Sequence, residues 1–397
     1  MKYRHYVWGL VFISSASFSS ITFDTEQGAL KLYGDVEFNL DGASRTGQIT
    51  SLKTRADKIK TRADKNWKAG EAERWDVNGR ILIGLDGYRS MADQSFAGFT
   101  VQPLADLSGG LELDDAAFFF GQEKDWKVQV GRYEAFDMFP LNQDTLIEYS
   151  GNTANDLYED GYGYIYMMKE ARGRGSAGAI QLSKTWQRFY FELNAMANDG
   201  TRLFQNGEYH GNTLEHKKNV IYLRPVIAWR HSDVTAAVGM ESNVVNNAYG
   251  YTDNRGQFKD QSKRNGYGAT LSWDGQRANP DSGAVINLST AYMDATEEQN
   301  FSAGLNGLWR DFQLGYIYAR NDVKAFTMQY ISGASLSDFI LGKYDIHTIH
   351  SSYRFRNVMK MQNFDIYLGA YWSQINAERH SGDNERYGAR VRFKYHF

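Results

Sequence analysis

The last eleven residues, Tyr387 to Phe397, read YGARVRFKYHF and constrain the fold more than any other stretch. Every second position is apolar or aromatic: Tyr387, Ala389, Val391, Phe393, Tyr395 and Phe397. Between them stand Gly388, Arg390, Arg392, Lys394 and His396. Successive side chains on a strand point to opposite faces, so this is a strand with one greasy and one cationic face. Two architectures accept it. A soluble sheet packs the greasy face on a second layer, whereas a transmembrane barrel turns it to lipid and the charged face to a watery interior, at about 10 residues per strand. Alternation by itself establishes only a half-buried strand.

The pattern recurs along the chain. In residues 28–41, Leu30, Leu32, Val36, Phe38 and Leu40 share a face with Gly34, opposite Lys31, Tyr33, Asp35, Glu37 and Asn39. This first strand and the closing strand are expected neighbours, because a lipid-bathed sheet must close on itself to remove its edges. In residues 74–88, Trp75, Val77, Ile81, Ile83 and Leu85 point outward, with Asp76, Asn78, Arg80 and Asp86 inward. The same alternation marks residues 189–196, 221–230, 234–240, 267–273, 284–292, 301–309, 312–318, 346–355 and 364–372. In residues 111–121 the run Phe118, Phe119, Phe120 leaves the facing ambiguous.

Connection lengths separate the two architectures. Short links at 122–125, 185–188, 231–233 and around Asp311 alternate with long ones at 42–73, 134–175, 199–217, 246–264 and 321–344. Short turns at one rim and long loops at the other are the habit of transmembrane barrels. With 4 Pro and 38 Gly among 397 residues, the composition suits unbroken ladders. Mean hydropathy is −0.55 and only the N-terminus holds a long apolar run, which excludes a helical membrane protein. The expected fold is all-β: a transmembrane antiparallel β-barrel of about 16 strands, wide enough for an aqueous channel. The net charge of −3 gives no pull toward nucleic acid, and with no cysteine the ladder and its packing must carry stability.

The N-terminus supplies an address. Lys2 and Arg4 precede an apolar run over residues 6–18, followed by Ser19 and Ser20, a secretory signal pattern. Residues 1–20 are read as a signal peptide and 21–397 as the barrel. Residues 43–73 form a charged outer loop with a tandem KTRADK (53–58, 60–65), too short and too polar for a coiled coil. Trp75, Trp126, Trp229, Trp309 and Trp372 read as membrane-interface anchors.

The longest connection, residues 134–175, carries the chemistry. It holds Asp137, Asp144, Glu148, Asp156, Glu159 and Asp160, interleaved with Phe136, Tyr149 and Tyr158 among other rings. A long loop this apolar is usually functional. Folded inward as the third loop, it would set carboxylates against the inward cations Arg80, Arg224, Arg230, Arg390, Arg392 and Lys394, a transverse field across a pore. Each cation also has a plain reading, as one half of a cross-strand pair. The acids at 158–163 lack a fixed ligand spacing, so neither metal nor cofactor is expected.

Here the chain resembles a known family. VGRYEAFDMFPLNQDT (130–145) looks like the start of the constriction loop of general porins, and GRYEAFD, FPL and QDT resemble glycoporins of the raffinose-porin type. The closing strand ending in Phe397 resembles the assembly signal of Gram-negative outer-membrane proteins. The resemblance spans residues 30–397. It implies a passive outer-membrane channel for oligosaccharides; the alternatives are a general porin for small hydrophilic solutes and ions, or an outer-membrane enzyme or receptor barrel. Implied partners are outer-membrane lipids and lipopolysaccharide, sugar solutes, and the barrel-assembly machinery through Phe397. A homotrimer is the family's arrangement, but the second outer loop, near 107–109, is very short here. No regular ladder of inward rings, such as would make a sugar slide, is visible. An enzyme is not expected: His347 and His350 lie near Ser351 and Ser352, but no nucleophile elbow or orienting carboxylate accompanies them.

Overall fold

The structure, a computed structural model, describes residues 20–25, 28–44, 74–107, 109–138, 140, 143, 178–203, 207–209, 212–324, 342–378 and 385–397. The first strands are β1 (Ile21–Thr25), β2 (Gly28–Ala43), β3 (Arg74–Ser90), β4 (Ser95–Asp106), β5 (Leu111–Gln122), β6 (Trp126–Arg132), β7 (Ala179–Trp186) and β8 (Phe189–Asp199). Three short ones follow, β9 (Glu208–Tyr209), β10 (Asn212–Thr213) and β11 (Glu215–His216), then β12 (Asn219–His231), β13 (Val234–Asn243), β14 (Tyr249–Thr252) and β15 (Phe258–Asp260). The last seven are β16 (Arg264–Asp274), β17 (Ala284–Ala295), β18 (Glu298–Trp309), β19 (Phe312–Val323), β20 (Gly342–Phe355), β21 (Phe364–Ala377) and β22 (Glu385–His396).

Sixteen of these form one closed antiparallel ring: β2 to β8, β12, β13, β16 to β22, and back to β2. The seam pairs Asp35 to Ala43 of β2 with His396 to Gly388 of β22, as the matching polarity of the two end strands required. β1 is a seventeenth strand that the periodicity did not reveal. It pairs only with β2, Ile21 opposite Leu32, just below Gly34, which exchanges backbone hydrogen bonds with Phe397 at 2.9 and 3.1 Å. It thus takes up the line of β22 where that strand stops.

The molecule is apolar outside and polar inside. Trp75, Val77, Val238 and Leu305 stand more than half exposed on the outer face, while the inward Asn194, Ser302 and Thr348 are fully buried. A soluble sheet cannot leave its large apolar side chains in water; a barrel in lipid must. The run Phe118–Phe120 is resolved by a bulge. Val101 pairs with Ala116 but Pro103 pairs with Leu113, so β5 carries one extra residue at Asp114–Asp115. The extra residue flips the alternation, and Leu111, Leu113, Phe118 and Phe120 all end outward while Phe119 turns in.

One rim carries tight turns at residues 123–125, 187–188, 232–233 and 310–311. Lys124, Gln187, Ser232 and Arg310 there hold left-handed φ of 50–61°, the backbone a short hairpin needs. Most long connections leave the opposite rim, although the links at 107–110 and 296–297 on that rim are short as well. Two loops on this rim contribute β11, β14 and β15, which form a small sheet over the mouth. It seals in Ala248 and Tyr249, and the Tyr249 hydroxyl lies 3.4 Å from that of Tyr222 on the wall.

Candidate functional site: the lumen and its inward loop

β6 has only seven residues, so the chain leaves the wall early, at Arg132. It turns into the lumen and docks at once. The Tyr133 hydroxyl donates to Asn194 Oδ1 at 3.2 Å. At Phe136 both backbone groups are taken: its N–H donates to Glu192 Oε1 at 3.1 Å, and its carbonyl accepts from Arg224 Nη2 at 2.9 Å. Glu192 on β8 and Arg224 on β12 also pair with each other at 3.4 Å, with side chains 1% and 0% exposed. An ion pair from two adjacent strands here stands in for a missing strand partner, since a buried peptide group left unbonded would be costly.

The next contact is with β13. A Cβ added to Gly239 on β13 would lie 3.6 Å from the Met138 sulfur, and Met138 is fully buried. Gln143 then reaches the far wall, donating from Nε2 to Ser352 Oγ on β20 at 2.7 Å. Ser352 donates to Gln313 on β19 at 3.1 Å, and Gln313 donates to Asn306 on β18 at 2.9 Å. The described residues of the loop therefore touch the wall at β8, β12 and β13 and again at β20.

In the remaining sector, from β21 through the seam to β4, the inward Tyr33, Asp35, Arg80, Asp86, Gln102 and Lys394 are half-buried, while Asp41, Arg390 and Arg392 at the seam are buried. Most cations expected on the wall meet acids on neighbouring strands. Arg390 grips Asp41 through two bonds of 2.6 and 2.7 Å, with side chains 1% and 0% exposed. Arg392 and Lys394 share Glu37, at 3.0 and 3.1 Å, and Arg392 Nε donates to Asn39 Oδ1 at 2.8 Å. Arg80 lies 3.7 Å from Asp35. Such charge-assisted bonds fix side chains in register and leave the wall nearly balanced in charge.

The structure thus groups Arg80, Arg390, Arg392 and Lys394 at the seam. It places Arg224 across the lumen beneath the loop, and Arg230 at the turn end of β12. Phe136 stacks on Tyr190, with centroids 5.7 Å apart, and Asp137 follows it, half-buried. Asp144, Glu148, Tyr149, Asp156, Tyr158, Glu159 and Asp160 lie outside the described residues. Sequence reasoning missed Asp41, Glu192 and Gln143 as partners. Asp41 was within reach, because the antiparallel seam sets the acids of β2 directly against the bases of β22. His347 and His350 sit on opposite faces of β20, His347 bonded to the Tyr316 hydroxyl at 2.7 Å and His350 beside Gly315 in the lumen wall.

Comparison with known proteins agrees with this geometry. The family described as porin-like glycoporin RafY matches residues 32–397. Among solved structures, the anion-selective porin from Comamonas acidovorans aligns with TM-score 0.55 and 12% identity, covering 94% of this chain and 100% of its own. OprB of Pseudomonas putida aligns with TM-score 0.55 and 9% identity, covering 92% and 94%. A mutant of the Rh. blastica porin aligns with TM-score 0.52 and 13% identity, covering 93% and 100%. At such identities the likeness is one of fold. Comparison with curated protein sequences returns no match.

Proposed function

The chain belongs to the porin-like glycoporin RafY family and is an outer-membrane porin barrel, and we propose that it is a passive diffusion channel for oligosaccharides. The observation that carries this reading is the inward loop, bound through Phe136 to β8 and β12 and through Gln143 to β20, beside a lumen wall rich in hydrogen-bonding groups. A solute there meets carboxylates, guanidinium groups, amides and tyrosines, the chemistry that exchanges hydrogen bonds with sugar hydroxyls and stacks on pyranose faces. No cofactor or energy coupling is required, since solute moves down its gradient and the protein contributes radius and wall chemistry.

Within this reading Asp137, Asp144, Glu148, Asp156, Glu159 and Asp160 complete the acidic side of the constriction, with Phe136, Tyr149 and Tyr158 as its rings. The seam cations form the other side. Residues 1–20 direct export, and the first described strand begins directly after them, at Ile21. Phe397, tied to Gly34 at the seam, is where assembly of the closing strand is read.

Single-channel recording in a planar bilayer, titrated with a trisaccharide and a tetrasaccharide, tests the proposal. Large open steps with saturable, sugar-dependent block are expected. Open steps without block would make the protein a general porin for small hydrophilic solutes. Absence of steps from folded protein would overturn the channel itself.

A further inference from the structure

The turn rim is not uniform in charge. The turns β3–β4 (91–94) and β5–β6 (123–125) hold Asp93, Glu123 and Asp125 against Lys124. The turns β18–β19 (310–311) and β20–β21 (356–363) hold Arg310, Arg356 and Lys360, all exposed, with Asp311 as their acid. These two turns are stitched together. Arg354 donates its backbone N–H to the Asp311 carbonyl at 2.9 Å and its Nε to the Asp311 carboxylate at 3.1 Å, and Arg356 Nε donates to the same carboxylate. One carboxylate thus serves two guanidinium groups, while Arg310 and Lys360 meet no carboxylate within ion-pair distance among the described residues. The Arg310 guanidinium instead lies 4.8 Å from the centre of the Trp309 ring. Trp309 stands on the outer face opposite Phe312, and Tyr353 and Phe355 extend the same belt, 4.9 Å apart. Rings in such a belt sit at the level of lipid headgroups, and the cation held over Trp309 sits there with it.

The second turn breaks a local rule. Val358 to Met361 close through a 3.1 Å hydrogen bond from the Met361 N–H to the Val358 carbonyl, with Met359 and Lys360 between them at φ of 57° and 62°. Asn and Gly usually hold such a pair of positions, because a β-carbon there is strained. The turn is nevertheless braced: the Asn357 N–H donates to Asp365 Oδ1 and the Asn363 N–H to Asn357 Oδ1, each at 3.0 Å. Its tip gains nothing from packing, since Met359 is 80% exposed and Met361 is exposed beside it. Strain held in place by bracing points to a contact outside the chain. Cations in excess of acids, interface rings and bare thioether side chains together match an anionic lipid, whose phosphate suits the cations and whose glycerol and upper acyl carbons suit the methionines. We propose that these two turns form a binding site for the phosphate of an anionic phospholipid in the leaflet at the turn rim. Arg310, Arg356 and Lys360 hold the phosphate, Trp309 positions Arg310, and Met359 and Met361 lie against the glycerol region. The site follows from the barrel's place in a membrane and does not depend on which solute passes through the lumen.

The test is native mass spectrometry of the folded full chain in a neutral detergent, titrated with phosphatidylglycerol or with phosphatidylcholine of the same acyl chains. Phosphatidylglycerol is expected to bind at about tenfold lower concentration. Arg310→Gln and Lys360→Gln should each weaken that binding about fivefold, and the double variant about twentyfold, with phosphatidylcholine binding unchanged. Neither side chain has an acid partner in the fold, so both variants keep the barrel, which unheated electrophoresis verifies. Trp309→Leu removes the ring beneath Arg310 and should cost about threefold. Lys124→Gln, on the acidic turn β5–β6, is the control and should bind like the parent. Equal binding of the two lipids by the parent overturns the site. A preference for phosphatidylglycerol that survives in the double variant overturns its location at these turns. Displacement of the lipid by an equal concentration of inorganic phosphate would mark a free-ion site and overturn the lipid assignment.

Discussion

Replacing Arg224 with Ala is expected to widen the channel. Arg224 holds the Phe136 carbonyl and its partner Glu192 holds the Phe136 N–H, so the pair fixes the loop root at one peptide. Both side chains are buried, and removing one member leaves the other as an uncompensated buried charge, which costs about 3–5 kcal/mol. The protein can relieve that cost by letting water in under the loop, and the loop then leaves the wall of β8 and β12. The measurement is single-channel conductance, compared with a deletion of residues 137–160, which sets the upper limit. Arg224→Ala should move severalfold toward that limit and add open-channel noise, because Gln143 still tethers the far end to Ser352. Glu192→Gln is expected to be milder, since its amide oxygen can still accept from Phe136. Parent-like conductance in both Arg224→Ala and the deletion would remove the loop from the setting of pore radius.

The architecture was legible because a barrel writes its two environments residue by residue. Each strand from β2 to β22 that lines the lipid alternates, and the unequal connections told which rim was which. What escaped was whatever depends on register. β1 is five residues long and carries just two outward apolar side chains, Ile21 and Phe23, too few for a period to be read. The facing of Phe118 to Phe120 hung on a bulge, and a bulge leaves no mark in composition. The cations were recognised as inward, but their partners became visible only with the pairing: Arg390 with Asp41, Arg392 and Lys394 with Glu37, and Arg224 with Glu192. Of the loop, the sequence showed its richness in acids and rings. That its root is clamped by an ion pair and that Gln143 reaches β20 are facts about the opposite walls, which no local stretch records.

The seam should be where the barrel is most sensitive to a single charge. β2 and β22 are the first and last strands of the ring, so their pairing closes it, and Asp41 with Arg390 sits within that closure. The two bonds between them and a third from Asn78 Nδ2 to Asp41 at 2.5 Å satisfy the carboxylate where water does not reach it. Arg390→Ala strands Asp41 and Asp41→Ala strands Arg390, so each single change is expected to cost about 3–5 kcal/mol, whereas Asp41→Leu with Arg390→Leu leaves no buried charge and should recover most of that loss. The readout is the temperature at which the folded band converts to the unfolded one on unheated-to-boiled electrophoresis, supported by a urea titration of tryptophan fluorescence. Both single variants should convert well below the parent, and the double close to it. If the double falls as far as the singles, the pair acts through its geometry at the seam and not through the desolvation of its charges. If Arg390→Ala converts with the parent, the ring is closed by its backbone ladder alone, and the alternation of acids and bases along β2 and β22 serves the solute and not the fold.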